Sequence, residues 1–183
     1  SLALTDGMAE ALLRNVMRNA RLALQAPDDY DVRAEIMWAG TLSHNDITGD
    51  RSQGDWASHQ LEHELGGMFD IAHGAGLAAI WGSWARYVLK QNPCRFAQLA
   101  VNVLNVPYSF GNDEKTALEG IAAMEDFFRS IGMPTSISDM EIELTDTQIK
   151  ELAHKCSFMG RRTIGGFVTL NAADMENIYR MAR

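Results

Sequence analysis

Three of the five histidines of this chain, His59, His63 and His73, lie within fifteen residues of one another. His59 and His63 are four residues apart, a spacing that places both imidazoles on one face of a helix. His73 follows the helix-weakening pair Gly66 and Gly67, after which the chain can fold back against that face. Neutral imidazoles bind iron, zinc or nickel and transfer protons near pH 7. The cluster therefore predicts a metal or proton-transfer site, and spacing alone pairs His59 with His63 first.

Other roles for these three histidines can be compared with the sequence one by one. A histidine beside an apolar surface is often a hydrogen-bonded structural residue, and this reading stays open on spacing alone. The HExxH motif of zinc proteases requires a second histidine at position 67, where the chain has Gly67. No histidine precedes an aspartate, and no GxGxxG or Walker sequence is present. His44 and His154 lie in polar stretches, where we expect structural or solvent-facing roles.

The composition narrows the class of protein. The formal net charge of −8 argues against nucleic acid as a partner, because phosphate binding requires clustered Lys and Arg. No run of eighteen apolar residues without a charge occurs, so we expect no membrane span. Cys94 and Cys156 are isolated thiols, which favours a reducing, cytoplasmic setting.

Apolar residues recur at helical spacing along nearly the whole chain, and no run of alternating β-branched residues suggests a strand. We therefore predict an all-α fold of seven to nine helices in a single domain, residues 1–183. The segment after His73 is apolar around most of its circumference and is expected to be central. Trp56, Trp81 and Trp84 are expected in the core. The expected N-caps are Thr5, Asp55, Asn112 or Asp113, Thr145 and Asn171.

Three blocks of sequence, in order, resemble the iron-dependent (group III) alcohol dehydrogenases. The segment WASHQLEHELGGMFDIAHGAG, residues 56–76, has the family's pattern of His, three residues, His, nine residues and His-Gly. YDVRAEIMWAGTLSHN, residues 30–45, is similar to the preceding helix. TIGGFVTLNAADMENIYRMAR, residues 163–183, is similar to the C-terminal end. The two flanking blocks point to the butanol dehydrogenase and aldehyde reductase branch.

The resemblance implies a two-domain enzyme. An N-terminal α/β domain binds NAD or NADP, and a C-terminal all-α domain holds a catalytic divalent metal, iron or alternatively zinc. The first and third histidines of the signature are metal ligands in that family, which carries over to His59 and His73. The middle histidine, His63 here, lies near the reacting centre and suits a proton relay. The substrate is a small alcohol or aldehyde.

The chain departs from the family in what it lacks. The two remaining ligands of the family's metal belong to an Asp-x-x-x-His motif, which does not occur in the first thirty residues. The resemblance thus predicts the helical half of a homo-oligomeric enzyme, inactive without its nucleotide-binding domain. A stand-alone helical module that binds a metal or a partner without catalysis is the alternative.

Overall fold

Helices account for all the long regular elements of the computed structural model, which describes residues 3–49 and 54–183. Within these ranges the β-structure is limited to one isolated antiparallel bridge between Ile164 and Leu170. The predicted all-α class and number of helices are therefore confirmed. No helix in the described ranges is both long and apolar enough to cross a membrane. The helices are α1 (Ala3–Gln25), α2 (Tyr30–Ser43), α3 (Ala57–Phe69), α4 (His73–Val88), α5 (Pro93–Asn102), α6 (Asp113–Ser130), α7 (Asp146–Cys156) and α8 (Ala172–Ala182).

Side-chain caps fix several helix ends at the predicted residues. Thr145 and Asn171 each form a capping box with the residue three positions later, and the side chain of Asn112 accepts from the backbone N–H of Lys115. For α3 the prediction is off by one residue, because Trp56 occupies the N-cap position without a side-chain bond, while Oδ1 of Asp55 accepts from the N–H of Ala57 at 2.7 Å. The predicted cap at Thr5 is wrong, because α1 is already helical from Ala3 and its first orphan N–H groups lie earlier.

The first of two compact units comprises Ser1–Gly54 and Cys94–Ala123. Here α1 packs along α2. Asp6 accepts two hydrogen bonds from Arg95 at 2.6 and 2.9 Å, which joins the start of α1 to α5. Gly120 allows α6 to approach α5 closely, because a Cβ at this position would collide with the methyl group of Ala100.

The second unit comprises Asp55–Pro93 and Met124–Arg183. As predicted, α4 is central: it packs on both α3 and α8 and buries eight of its sixteen residues. The α7 helix packs on α3 and α8. Small residues at the contact faces of α4 permit this close packing, among them Gly76, Ala78, Ala79 and Ala85.

The tryptophans differ from the expectation that all three lie in the core. Trp56 is 50% exposed, so its predicted core position is wrong. It immediately precedes Ala57, the first buried residue of α3, and its ring instead lies edge-on against His59 with the centroids 5.0 Å apart. Trp81 and Trp84 are half-buried, and the ring of Trp81 packs against Phe128.

Candidate metal centre

A helical hairpin brings the three clustered histidines together. The α3 helix ends where Asp70 adopts a left-handed conformation (φ 52°) and its N–H bonds to the carbonyl of Gly66 at 2.9 Å. Ala72 is extended, and α4 begins at the next residue, His73. The chain thereby reverses and packs α4 against α3, so that the first residue of α4 faces the histidines of α3.

The potential ligand atoms of His59, His63 and His73 all lie within 4.8 Å of one another. The ring centroids are 5.2 Å apart for His59 and His73, 5.4 Å for His63 and His73, and 6.2 Å for His59 and His63. His59 is half-buried, whereas the other two are exposed and open to an ion. The geometry therefore groups all three and does not by itself separate metal ligands from a proton relay.

The donor set fits a divalent transition metal. Imidazole nitrogens bind zinc at about 2.0–2.1 Å, so two of them on one ion lie at most about 4.2 Å apart. The potential ligand atoms of the three histidines, all within 4.8 Å of one another, lie close to that range. Neutral imidazoles suit iron and zinc better than magnesium or calcium, which prefer oxygen ligands.

The buried carboxylate of Glu62 contacts one of the three clustered histidines. Glu62 is only 2% exposed, and its Oε2 contacts Nδ1 of His73. The other nitrogen of that ring, Nε2, is the one left for an ion. Sequence reasoning missed Glu62, although a helical projection of α3 places position 62 beside the buried Leu61 and Leu65, where a carboxylate requires a partner.

Two buried side chains outside α3 form hydrogen bonds with backbone carbonyl groups of α3. Tyr179 donates its hydroxyl to the carbonyl of Leu61, and the thiol of Cys156 lies 3.4 Å from the carbonyl oxygen of Gln60. Burial raises the pKa of Cys156 to about 11 and that of Tyr179 well above its usual range. Both groups are therefore protonated donors at neutral pH.

The carboxylate of Asp55 joins a loop to the start of α3 through hydrogen bonds. Its Oδ2 accepts from the backbone N–H groups of Gly166 and Phe167 at 3.1 and 2.8 Å, while Oδ1 accepts from the N–H of Ala57. Gly165 adopts a positive φ of 93°, and a Cβ there would collide with the carbonyl of Val168. One carboxylate therefore orders both the loop and the turn that carries Trp56.

Aromatic and cationic side chains border the histidines. A cavity of about 430 Å³ is lined by Trp56, His59, His63, Phe158 and Arg162, among others. The guanidinium of Arg162 lies 3.5 Å from the centroid of the Phe158 ring, and its Nε donates to the carbonyl of Cys156 at 2.7 Å. Sequence reasoning missed Phe158 and Arg162, which are about a hundred residues from the histidines and carry no motif.

The two other histidines do not belong to the cluster formed by the described residues. His44 and His154 are exposed, as expected. The ring of His44 bonds to its own helix end, through the hydroxyl of Ser43 and the carbonyl of Gly40.

The model of the Fe-containing alcohol dehydrogenase family, C-terminal part, matches residues 1–183. The chain belongs to this family. Among curated members it is 37% identical over 175 residues to the probable NADH-dependent butanol dehydrogenase 1 of Bacillus subtilis, covering 96% of this chain and 44% of that protein. It is 31% identical over 178 residues to the NADPH-dependent aldehyde reductase YqhD of Escherichia coli, covering 97% of this chain and 45% of that protein.

Solved structures agree with this assignment. The aldehyde reductase YqhD from E. coli, free of substrate and cofactor, superposes with a TM-score of 0.90 at 30% identity, covering all of this chain and 47% of that one. The NADH-dependent butanol dehydrogenase A of Thermotoga maritima gives a TM-score of 0.88 at 29% identity, with 97% and 46% covered. The chain thus spans less than half the length of these relatives.

Proposed function

We propose that this chain is the metal-binding half of an NAD(P)-dependent alcohol dehydrogenase that interconverts primary alcohols and aldehydes, with butanol and butanal as representative substrates. The observation that carries the proposal is the convergence of His59, His63 and His73 at the turn of one hairpin. Family membership supplies the reaction class, and several relatives that are butanol dehydrogenases supply the substrate class.

Within this half we assign His59 and His73 as metal ligands and His63 as a proton relay. A bound divalent ion, iron or alternatively zinc, supplies Lewis-acid polarisation of the substrate oxygen, and NAD or NADP supplies or accepts the hydride. His63 is exposed at the cluster and close to both partners, which suits a group that exchanges protons with substrate and water.

The cavity beside the histidines supports a small organic substrate. Its aromatic walls, Trp56 and Phe158, are each 50% exposed, so they present apolar surface to an incoming molecule. A volume of about 430 Å³ accommodates a short-chain alcohol or aldehyde with room for water.

Two imidazole ligands are too few for a catalytic site, which uses three or more protein ligands and one open position. We therefore propose that residues 1–183 form one metal-binding domain that works with an N-terminal nucleotide-binding domain carrying an Asp-x-x-x-His pair. On this proposal the isolated chain is inactive, and the complete enzyme is a cytoplasmic homo-oligomer.

A chimera tests the function directly. This chain replaces the matching C-terminal segment of the Bacillus subtilis relative, whose N-terminal part then supplies the nucleotide-binding domain. We expect the chimera, loaded with iron or zinc, to oxidise NADH with butanal as substrate. We expect His59→Ala and His73→Ala to abolish measurable turnover, and His63→Ala to reduce kcat by a factor of about 10²–10⁴, as for loss of a general acid–base group.

The isolated chain and His154→Ala are the controls. His154 is exposed and outside the cluster, so its substitution should leave turnover unchanged. Full activity of the His59→Ala chimera, or NAD(P)-dependent activity of the isolated chain, would contradict the proposal. Metal binding by the chain with an inactive chimera would instead favour a non-catalytic module.

A further inference from the structure

Glu62 is the most deeply buried acidic side chain described by the structure, at 2% exposure. It lies on the face of α3 that carries Leu61 and Leu65, one residue before His63. A carboxylate costs free energy to bury unless it is paired, so its position requires a specific partner. That partner is Nδ1 of His73, at the first residue of the facing helix.

Two glycines provide the space that the carboxylate occupies. A Cβ at Gly76 of α4 would lie 2.7 Å from both Cγ and Oε1 of Glu62, and 2.9 Å from Cδ1 of Ile71. A Cβ at Gly66 of α3 would lie 3.1 Å from Oε1. The adjacent Gly67, in contrast, has nothing within 4 Å of such a Cβ. Both glycines that contact Glu62 therefore restrict where its side chain can lie, and Gly67 serves as a matched control.

We propose that Glu62 is a positioning residue that holds His73 in the Nδ1–H tautomer and so directs the Nε2 lone pair at the metal. The carboxylate accepts a hydrogen bond from Nδ1–H, which fixes the tautomer and the orientation of the ring. Gly66 and Gly76 form the slot that keeps the carboxylate in place. The proposal rests on the proposed function, because it takes His73 to be a metal ligand.

The tautomer of His73 is measured first, on the metal-free chain, by long-range ¹H–¹⁵N NMR correlation of the imidazole rings at a pH where they are neutral. In the unsubstituted chain we expect the Nδ1–H form to exceed the Nε2–H form by about tenfold or more, as for a hydrogen bond to a charged group. Glu62→Leu, which removes the acceptor, and Gly76→Ala, which displaces it, should each reduce that ratio about tenfold.

Two further variants test the specificity of the effect. Glu62→Gln keeps an acceptor oxygen without the charge, and we expect it to retain the Nδ1–H form. Gly67→Ala adds a methyl group that meets nothing, and it should leave the ratio unchanged. Circular dichroism of each variant confirms that the helices are intact, and the two independent disruptions cover the case in which one of them fails to fold. An Nε2–H majority in the unsubstituted chain, or an unchanged ratio in both Glu62→Leu and Gly76→Ala, would overturn the proposal.

Zinc titration then measures the consequence for binding. Loss of such an outer carboxylate typically reduces metal affinity 10–100-fold, and we expect a loss in that range for Glu62→Leu and Gly76→Ala but none for Gly67→Ala. Equal zinc affinities in all variants would overturn the positioning role. If the chimera that supplies the Asp-x-x-x-His pair does not bind zinc at these histidines, the proposed metal function fails, while the tautomer measurement still decides what Glu62 does to His73.

Discussion

The hydroxyl of Tyr179 donates a hydrogen bond to the carbonyl oxygen of Leu61, 2.7 Å away, and both side chains are fully buried. This bond joins α8 to α3 two residues after His59. Burial holds the pKa of Tyr179 well above its usual range, so the hydroxyl is a donor at neutral pH. The C-terminal helix therefore helps to fix the helix that carries two of the three histidines.

Tyr179→Phe removes this bond while keeping the ring. We expect the free energy of unfolding to fall by about 1 kcal/mol, the usual net contribution of a buried hydrogen bond, and the Tm by about 2–4 °C. The matched control is Tyr108→Phe, whose exposed hydroxyl bonds to Asp113 at 2.7 Å in contact with water. Urea unfolding monitored by circular dichroism measures both, and equal losses in the two variants would contradict the assigned role of burial.

A second prediction concerns the ion pair between Arg86 of α4 and Glu125 of α6. The guanidinium donates two hydrogen bonds to the carboxylate at 2.5 and 2.6 Å, and Glu125 is only 9% exposed. Arg86→Met leaves that carboxylate buried without its partner. Because the Arg86 side chain is 35% exposed, we expect a loss of about 2 kcal/mol rather than the 3–5 kcal/mol of a fully buried pair.

Arg129→Met is the control for this pair. Arg129 bonds to Asp126 at 2.7 Å at the surface, and exposed pairs contribute roughly 0–1 kcal/mol. Gly82→Ala provides an independent disruption, since a Cβ at this position would collide with the carboxylate of Glu125. If the chemical unfolding curves of Arg86→Met and Gly82→Ala match that of Arg129→Met, the buried pair contributes no more stability than a surface pair.

The two thiols should react very differently. Cys94 is exposed, whereas Cys156 is buried and its pKa is raised to about 11, chiefly by desolvation. At pH 8 we expect iodoacetamide to modify Cys94 and to leave Cys156 unmodified until the protein unfolds, because the thiolate is the nucleophile. Mass spectrometry of the digested protein locates the label, and rapid labelling of Cys156 in the folded chain would contradict the prediction.

The raised pKa of Cys156 also predicts how the free energy of unfolding depends on pH. A thiol whose folded pKa is raised contributes stability that is complete below the unfolded value of 9.0 and is lost as the pH rises toward about 11. The free energy of unfolding should therefore decrease over that window, and Cys156→Ala should decrease less steeply than the unsubstituted chain. Parallel curves for the two proteins would contradict the assignment.

Much of the fold could be predicted because the determinants are local. Apolar periodicity located the helices, and the side chains of Thr145 and Asn171 cap their helices within three residues along the chain. Burial at helix edges could not be predicted in this way. Trp56 is hydrophobic, yet it precedes the first buried turn of α3 and stays half exposed. Whether such a residue is buried depends on what the tertiary fold places opposite it.

The residues of the candidate site likewise fall into two groups: those that spacing along the chain reveals, and those that only the tertiary fold brings together. The three histidines were found because two share a helical face and the third follows a break in the helix. Glu62 was missed because its significance depends on the turn at Asp70, which brings His73 of the next helix against it. Arg162 reaches the cavity from a loop about a hundred residues away, so spacing along the chain carries no signal for it.

Titration of the chain with divalent cobalt or zinc, followed by ¹⁵N NMR of the histidine rings, tests the central claim that His59 and His73 bind one ion. We predict that the signals of these two residues change together along one isotherm, with an affinity weaker than micromolar because two imidazole ligands are fewer than a catalytic metal site uses. His59→Ala should abolish the response, and His44→Ala and His154→Ala should leave it unchanged. Binding centred on His44 or His154, or an isotherm unaffected by His59→Ala, would contradict the account.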